Sequence, residues 1–305
     1  MKAKQMKAKQ MKAKQMKAGQ MKARQLSQSE MRAFEPDNKI GILATLDPNN
    51  LPHLSLITTL KARSPKQLMF GQFCEGESKR NVQERPKTGF VVMTMDRKIW
   101  RGQARWTDKT GHGEDYERLN QAPMFRYNAY FGIHTVHHME LERLGEPEGL
   151  SLAGLGAGIL LSTAARALTR AQRKDPILSP WAKRLISRPD TLKFLSWVGE
   201  DGYPELVPVV PCTAPDRRRL LFSPTVYRRL LKKLQPGQPL CVFAVNLAME
   251  SVCVRGTFRG YGGGLKLGAG LVDLDWVYNS MPPKQGQIYP PQPTKPVTDF
   301  QGEMS

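Results

Sequence analysis

Ser78, Lys79 and Asn81 fall within one helical turn of each other, so a hydroxyl, an ammonium and an amide converge on one spot. They follow Leu68-Met69-Phe70-Gly71-Gln72-Phe73-Cys74-Glu75-Gly76, which reads as a buried strand running into a polar loop. The apolar run Leu68 to Phe70 gives the strand, and Gly71 and Gly76 free the backbone to turn. A cap at Glu77 or Ser78, on a helix continuing through Val82 and Glu84, would add free backbone N–H groups and the positive end of the helix dipole. That combination suits a phosphate. Ser-Lys-Arg-Asn also suits an ordinary solvated helix start, so the surrounding elements decide between the two.

The elements that must hold this loop are short strands. Ile40 to Leu46 is strand-like, Asp47-Pro48-Asn49-Asn50 is a turn signal, and His53 to Leu60 alternates as the partner strand of a hairpin. After the loop come strands at Thr88 to Met95 and Trp100 to Trp106, a helix through Asp115 to Leu119, and a last strand over Phe131 to Leu141. Many short strands and few helices predict a mainly β fold, a small barrel with peripheral helices.

The same order returns later in the chain. Phe194 to Val209 repeats the hairpin, with Tyr203-Pro204-Glu205-Leu206 set against Leu51-Pro52-His53-Leu54. Arg219 to Phe222 matches Gln67 to Phe70, and Val254-Arg255-Gly256-Thr257 matches Trp100-Arg101-Gly102-Gln103. Leu267 to Leu274 parallels Phe131 to His138. The pattern reads as an internal duplication: two tandem barrels that form a pseudo-dimer.

Together, the hairpin from Ala44 to Ser55, the run Phe70 to Asn81, the Arg85-Pro86 before the next strand, and Trp100-Arg101-Gly102 resemble one family. It is the flavin-binding split β-barrel family typified by pyridoxamine 5′-phosphate oxidase. The resemblance covers residues 36–144 well and 190–280 weakly. It implies FMN at the seam between two barrels, with Ser78 and Lys79 on the phosphate and Asn81 alongside. Ser55, Leu56, Ile57 and Thr58 would line the ring, and Phe73 and Cys74 would sit at the strand end beside it. The family usually takes the second barrel from another subunit; here the second repeat could supply it in cis, and a homodimer of the whole chain stays open. Ser223-Pro224-Thr225-Val226-Tyr227-Arg228-Arg229 lacks the Ser-Lys-x-Asn arrangement, so one flavin site per chain is expected. The implied activity is transfer of hydride or electrons between a reduced nicotinamide, NAD(P)H, or a similar donor and an unidentified small substrate. The rival reading is a protein that binds or senses flavin or haem without turnover.

No GxGxxG, Walker loop, GxSxG or HExxH occurs, which counts against dinucleotide-fold, phosphate-loop, hydrolase and zincin readings. His134, His137 and His138 form a cluster that could ligate a metal or haem iron. On a strand His134 and His138 share one face and His137 takes the other, which favours a structural or substrate-facing role over a metal site. His134 or His138 could then act beside the flavin as a proton donor.

The chain carries a net charge of +19, but residues 1–25 hold nine Lys and Arg and no acid, leaving +10 for the rest. Those residues are five tandem pentapeptides of the Met-Lys-Ala-Lys-Gln type, whose five-residue period matches neither the helix nor the heptad and builds no core. Such an arm is either a low-complexity extension or a contact for nucleic acid or anionic membrane. A signal peptide is disfavoured by the lack of an apolar segment after the basic start. Cys74, Cys212, Cys241 and Cys253 show no CxxC spacing, so neither a zinc site nor a disulfide framework is indicated, and a reducing cytoplasm is the expected compartment.

The expected domains are a basic tail over 1–29, an FMN-binding barrel over 30–144, a helical linker over 145–189, a degenerate barrel over 190–281 and a Pro-rich tail over 282–305. Within the linker, Gly149 to Ala165 is uncharged but rich in glycine. It reads as a helix packed across the barrels rather than a membrane segment.

Overall fold

The computed structural model describes residues 21–123, 125–126, 132–149, 175–209, 211–261, 268–279 and 286–291. The first four pentapeptides, most of the uncharged stretch after Gly149 and the end of the Pro-rich tail lie outside these residues.

The first half contains β1 (Met21–Lys22), α1 (Gln28–Phe34), β2 (Ile40–Leu46), β3 (Pro52–Leu56), β4 (Lys61–Ser64) and β5 (Gln67–Gln72). It continues with α2 (Glu77–Glu84), β6 (Lys87–Met93), β7 (Lys98–Thr110), α3 (Glu114–Asn120), β8 (Thr135–Gly145) and β9 (Glu148–Gly149). The second half contains α4 (Pro180–Ser187), β10 (Leu192–Val198), β11 (Pro204–Pro208), β12 (Cys212–Thr213) and β13 (Arg219–Phe222). It ends with α5 (Arg228–Leu231), β14 (Pro239–Val245), β15 (Ser251–Tyr261), β16 (Gly270–Asn279) and β17 (Gly286–Tyr289).

Each half is an antiparallel sheet with one strand order. The first runs β3-β2-β6-β7-β8-β5-β4 and the second β11-β10-β14-β15-β16-β13-β12. Registers coincide as well, since Phe90 pairs with Gly102 where Leu240 pairs with Gly256. The fold is mainly β, two tandem split barrels packed as a pseudo-dimer.

The burial of β2 explains why the halves stay together. Residues 41–46 of this strand are all buried, although a strand facing one core would alternate. Leu43 points into the first barrel beside Phe70, Phe90 and Trp100. Ile42 and Ala44 point the other way, into a shared core with Leu54, Phe194, Leu206 and Phe243. The approach is close: a Cβ on Gly89 of β6 would stand 2.3 Å from the Pro204 carbonyl oxygen of β11, so only glycine fits there.

The hairpin turn forms as its sequence predicts. Asp47 Oδ1 accepts from the backbone N–H groups of Asn49 and Leu51 at 2.9 Å, and Asn50 takes φ 62°. Several elements differ from the expectation. Structure begins before residue 30, because β1 pairs with β8 and Ser27 with Glu30 closes a capping box on α1, with Glu30 also accepting from Trp100 Nε1 at 3.1 Å. Within the expected linker, Pro180 starts α4, because the first helical position needs no N–H and Ser179 caps it. The last strand of the first half starts at Thr135, not Phe131, and the segment after residue 282 contributes β17 to the second sheet.

Candidate ligand site at the seam

Helix α2 has no side-chain cap. Its N-cap is Gly76, in extended backbone, and neither Glu77 nor Ser78 takes that role. Ser78 instead turns inward, 1% exposed, and its hydroxyl hydrogen-bonds to that of Ser55 on β3. One turn on, Asn81 Nδ2 donates to Thr45 Oγ1 of β2 at 3.1 Å. The i, i+3 spacing puts both on one helix face, and the two bonds pin α2 to the hairpin.

Lys79 lies between them and is used differently. Among the described residues its ammonium has no hydrogen-bonded or ion-paired carboxylate, and burial lowers its pKa against the opposing pull of Cys74 and Glu75. A Cβ on Gly76 would lie 3.6 Å from Lys79 Nζ and 3.8 Å from the Tyr278 hydroxyl oxygen, so these two groups flank the start of α2. Tyr278, from β16 of the second half, accepts from the Glu77 N–H at 3.5 Å. Burial pushes its pKa up to about 12, so it remains a phenol that can donate.

Behind Tyr278 stands a polar and aromatic stack drawn from both halves. Trp276 lies parallel to Tyr278 at 5.3 Å, and the Arg255 guanidinium sits 4.1 Å from the Trp276 ring centre. The His53 ring meets both edge-on, at 4.9 Å from Tyr278 and 5.8 Å from Trp276. His53 is 2% exposed and its Nε2 has no hydrogen-bond partner. Burial, then Arg255 and Lys79, push its pKa down to about 3, so the imidazole is neutral. The Lys79 ammonium, the Tyr278 phenol and the orphaned Nε2 of His53 thus lie around the start of α2, where the Glu77 N–H meets Tyr278 and the Lys79 N–H meets the Gly76 carbonyl.

The remaining predicted residues divide. Cys74 is a free, half-buried thiol in the same loop. Leu56 packs on the shared core. Ile57 is buried in the first core, with its N–H on the Gly41 carbonyl at 2.7 Å. Thr58 is half-buried and its carbonyl accepts from Lys39 Nζ at 3.4 Å. Phe73 packs on Phe125, 5.7 Å away, in a satellite cluster.

The three histidines are used separately. His137 is buried, accepts from Trp106 Nε1 at 3.1 Å, pairs with Gln72 Oε1 at 2.7 Å and stacks on Phe70 at 4.6 Å. His138 bridges Asp108 at 2.6 Å and Asp115 at 3.0 Å. His134 is exposed, with Nδ1 3.0 Å from Thr135 Oγ1. Among the described residues no group of three His, Cys, Asp or Glu could hold a metal ion, and no helix is long and apolar enough to cross a membrane.

Sequence reasoning missed His53, Arg255, Trp276 and Tyr278. His53 was within reach, since it alternates in phase with Ser55 on one strand face. Arg255 was also legible, as the repeat equivalent of Arg101. Arg101 performs the mirror task in the other seam: Nε donates to the Leu206 carbonyl at 2.6 Å and Nη2 to Glu205 at 3.2 Å, under the Tyr227 ring at 5.0 Å. There Glu205 stands where His53 stands in the first seam, and Tyr227 is tied to Glu148 at 3.0 Å. In that seam Glu205 holds the guanidinium, and Arg101 Nη1 is left without a hydrogen-bond partner.

No family model matches the chain, and no curated protein matches it. Solved structures similar to part of it include HupZ of Group A Streptococcus, at 15% identity over 41% of this chain and 99% of that one, TM-score 0.34. An FMN-binding protein from Syntrophomonas wolfei subsp. wolfei is 16% identical over 40% of this chain and 86% of that one, TM-score 0.33. An F420 reductase is 16% identical over 39% of this chain and 98% of that one, TM-score 0.32.

Proposed function

We propose that the chain is an FMN-binding oxidoreductase that moves hydride or electrons between a reduced nicotinamide and a small substrate in the cytoplasm. The observation that carries the binding half of this reading is Lys79: a half-buried lysine whose ammonium, among the described residues, has no hydrogen-bonded or ion-paired carboxylate, beside an uncapped helix start. Keeping such a charge costs stability unless an anion completes it. The orphaned Nε2 of His53 in the same seam fits the same group.

In this reading Lys79 balances the phosphate charge, the first N–H groups of α2 donate to its oxygens, and Tyr278 offers its O–H from the second half. Ser78 and Asn81 hold α2 on the hairpin so that these donors stay aimed. Ser55 and Leu56 present the β3 wall along which the ring would lie, and Cys74 closes the loop end. The flavin itself would supply the two-electron chemistry. The four free thiols suit a reducing compartment.

An absorption spectrum of the purified protein, followed by heat release and chromatography of the bound chromophore, tests the binding. Twin flavin bands and released FMN are expected. A colourless protein that also takes up no added FMN overturns the reading. Steady NAD(P)H oxidation by the loaded protein tests the reaction, and a tightly bound but inert flavin would overturn that part alone.

A further inference from the structure

His53 is the one fully buried imidazole at the seam, and nothing in the packing explains a polar atom there. Its ring lies edge-on to Trp276 and Tyr278, and its Nε2 finds no hydrogen-bond partner. Leaving a buried polar atom unpaired is unfavourable. The charged and titratable groups around it are Lys79 and Glu77 on α2, Arg255 on β15, Tyr278 on β16 and Asp47 at the end of its own hairpin. Asp47 is already paired to Arg255 at 2.7 Å and bonded to its own turn, so it does not compensate a charge on His53. Arg255 and Lys79 both disfavour a charge on His53.

We propose that His53 is an oxyanion ligand: protonated at Nε2, it donates to a phosphate-class group held by Lys79 and the first turn of α2. The inference rests on the reading that an anion occupies this loop. It adds a ligand from β3 and ties the anion to Tyr278 and Trp276, so the site is complete only when both halves are packed. An anion placed there removes the reason for which the imidazolium is disfavoured, and His53 gains basicity when the ligand arrives.

The test is nuclear magnetic resonance of the full chain labelled in its histidine rings, with the His53 signal assigned through His53→Gln. The His53 titration midpoint is followed alone and with inorganic phosphate, FMN or riboflavin. Phosphate and FMN are expected to raise the midpoint by about two pH units, and riboflavin, which lacks the phosphate, to leave it in place. In parallel, His53→Phe is expected to weaken FMN binding about tenfold and riboflavin binding not at all. If FMN binds and the midpoint stays where it was, the role of His53 is overturned while the flavin reading stands. A rise with phosphate but no uptake of FMN keeps His53 as an oxyanion ligand and removes the flavin. No response to any of the three overturns both.

Discussion

Arg255 and Asp47 lie 208 residues apart in sequence and 2.7 Å apart in space, an ion pair that joins β15 of the second half to the hairpin turn of the first. Asp47 divides its oxygens: Oδ1 holds the turn and Oδ2 takes the guanidinium. Both side chains are about 85% buried, so the pair escapes most solvent screening. Asp47→Asn, which keeps the turn acceptor, is expected to cost about 1–2 kcal/mol, and Arg255→Gln a similar amount. A double-mutant cycle by urea unfolding should return a coupling of about 1 kcal/mol or more. Strict additivity would mean that this pair does not join the halves.

Lys79 sets function against stability. Because burial lowers its pKa, the folded protein below that pKa carries a charge that the unfolded chain solvates better. Replacing it by a long apolar side chain removes that cost and keeps the packing of its methylenes. Lys79→Met is therefore expected to raise the melting temperature of the flavin-free protein while weakening FMN binding by tenfold or more, about 1.4 kcal/mol. Calorimetric melting and flavin titration measure the two effects separately. A variant that melts lower and binds FMN as before would place the anion elsewhere.

What the sequence carried and what it withheld follow from where each signal is stored. The hairpin is local: Asp47, Pro48, Asn49 and Asn50 dictate the turn, and alternation from His53 supplies the partner strand. The matching sheets were legible too, because Tyr203-Pro204 repeats Leu51-Pro52 and Arg255-Gly256 repeats Arg101-Gly102. Capping at α2 was misjudged because Gly76 leaves no side chain to read, so two polar residues beside it looked like candidates. The loop showed its cation and its two pinning residues, Ser78 and Asn81. Tyr278 and Trp276 could not be placed, since only the packing of β16 against α2 and β3 brings them there. Ile57 and Phe73 entered the expected site through the resemblance; Ile57 lies buried in the first core and Phe73 packs, half-buried, on the satellite cluster.

Acid should unfold this protein earlier than its carboxylates alone would require. His53 and His137 are both buried, and desolvation pushes each pKa down to about 3 from 6.5. Between those values the unfolded chain binds protons that the folded chain refuses, so stability is full above pH 6.5 and is lost as the pH falls toward 3. Each histidine adds a slope of up to about 1.4 kcal/mol per pH unit. Urea unfolding at pH 7, 6 and 5 is expected to show this fall, with about half the slope in His137→Gln. Saturating phosphate should shrink the His53 share, because the ligand stabilises its charged form. A profile flat from pH 7 to 5 would show that both rings accept protons in the folded state.

Thiol chemistry gives an independent position for the ligand. Cys212, Cys241 and Cys253 are buried, and burial raises the Cys212 thiol to about 11 and Cys241 well above its usual range. Cys74 is half-buried in the loop that carries Lys79. An aromatic disulfide reagent should therefore label one thiol per native chain, absent in Cys74→Ser, and the other three only after unfolding. If the phosphate lies at Lys79, bound FMN crowds this loop and replaces its positive field with a negative one. Both effects slow the thiolate reaction, so saturation with FMN is expected to cut the Cys74 rate at least about tenfold, with riboflavin giving less protection. A Cys74 rate unchanged at full FMN occupancy would separate the flavin from this loop.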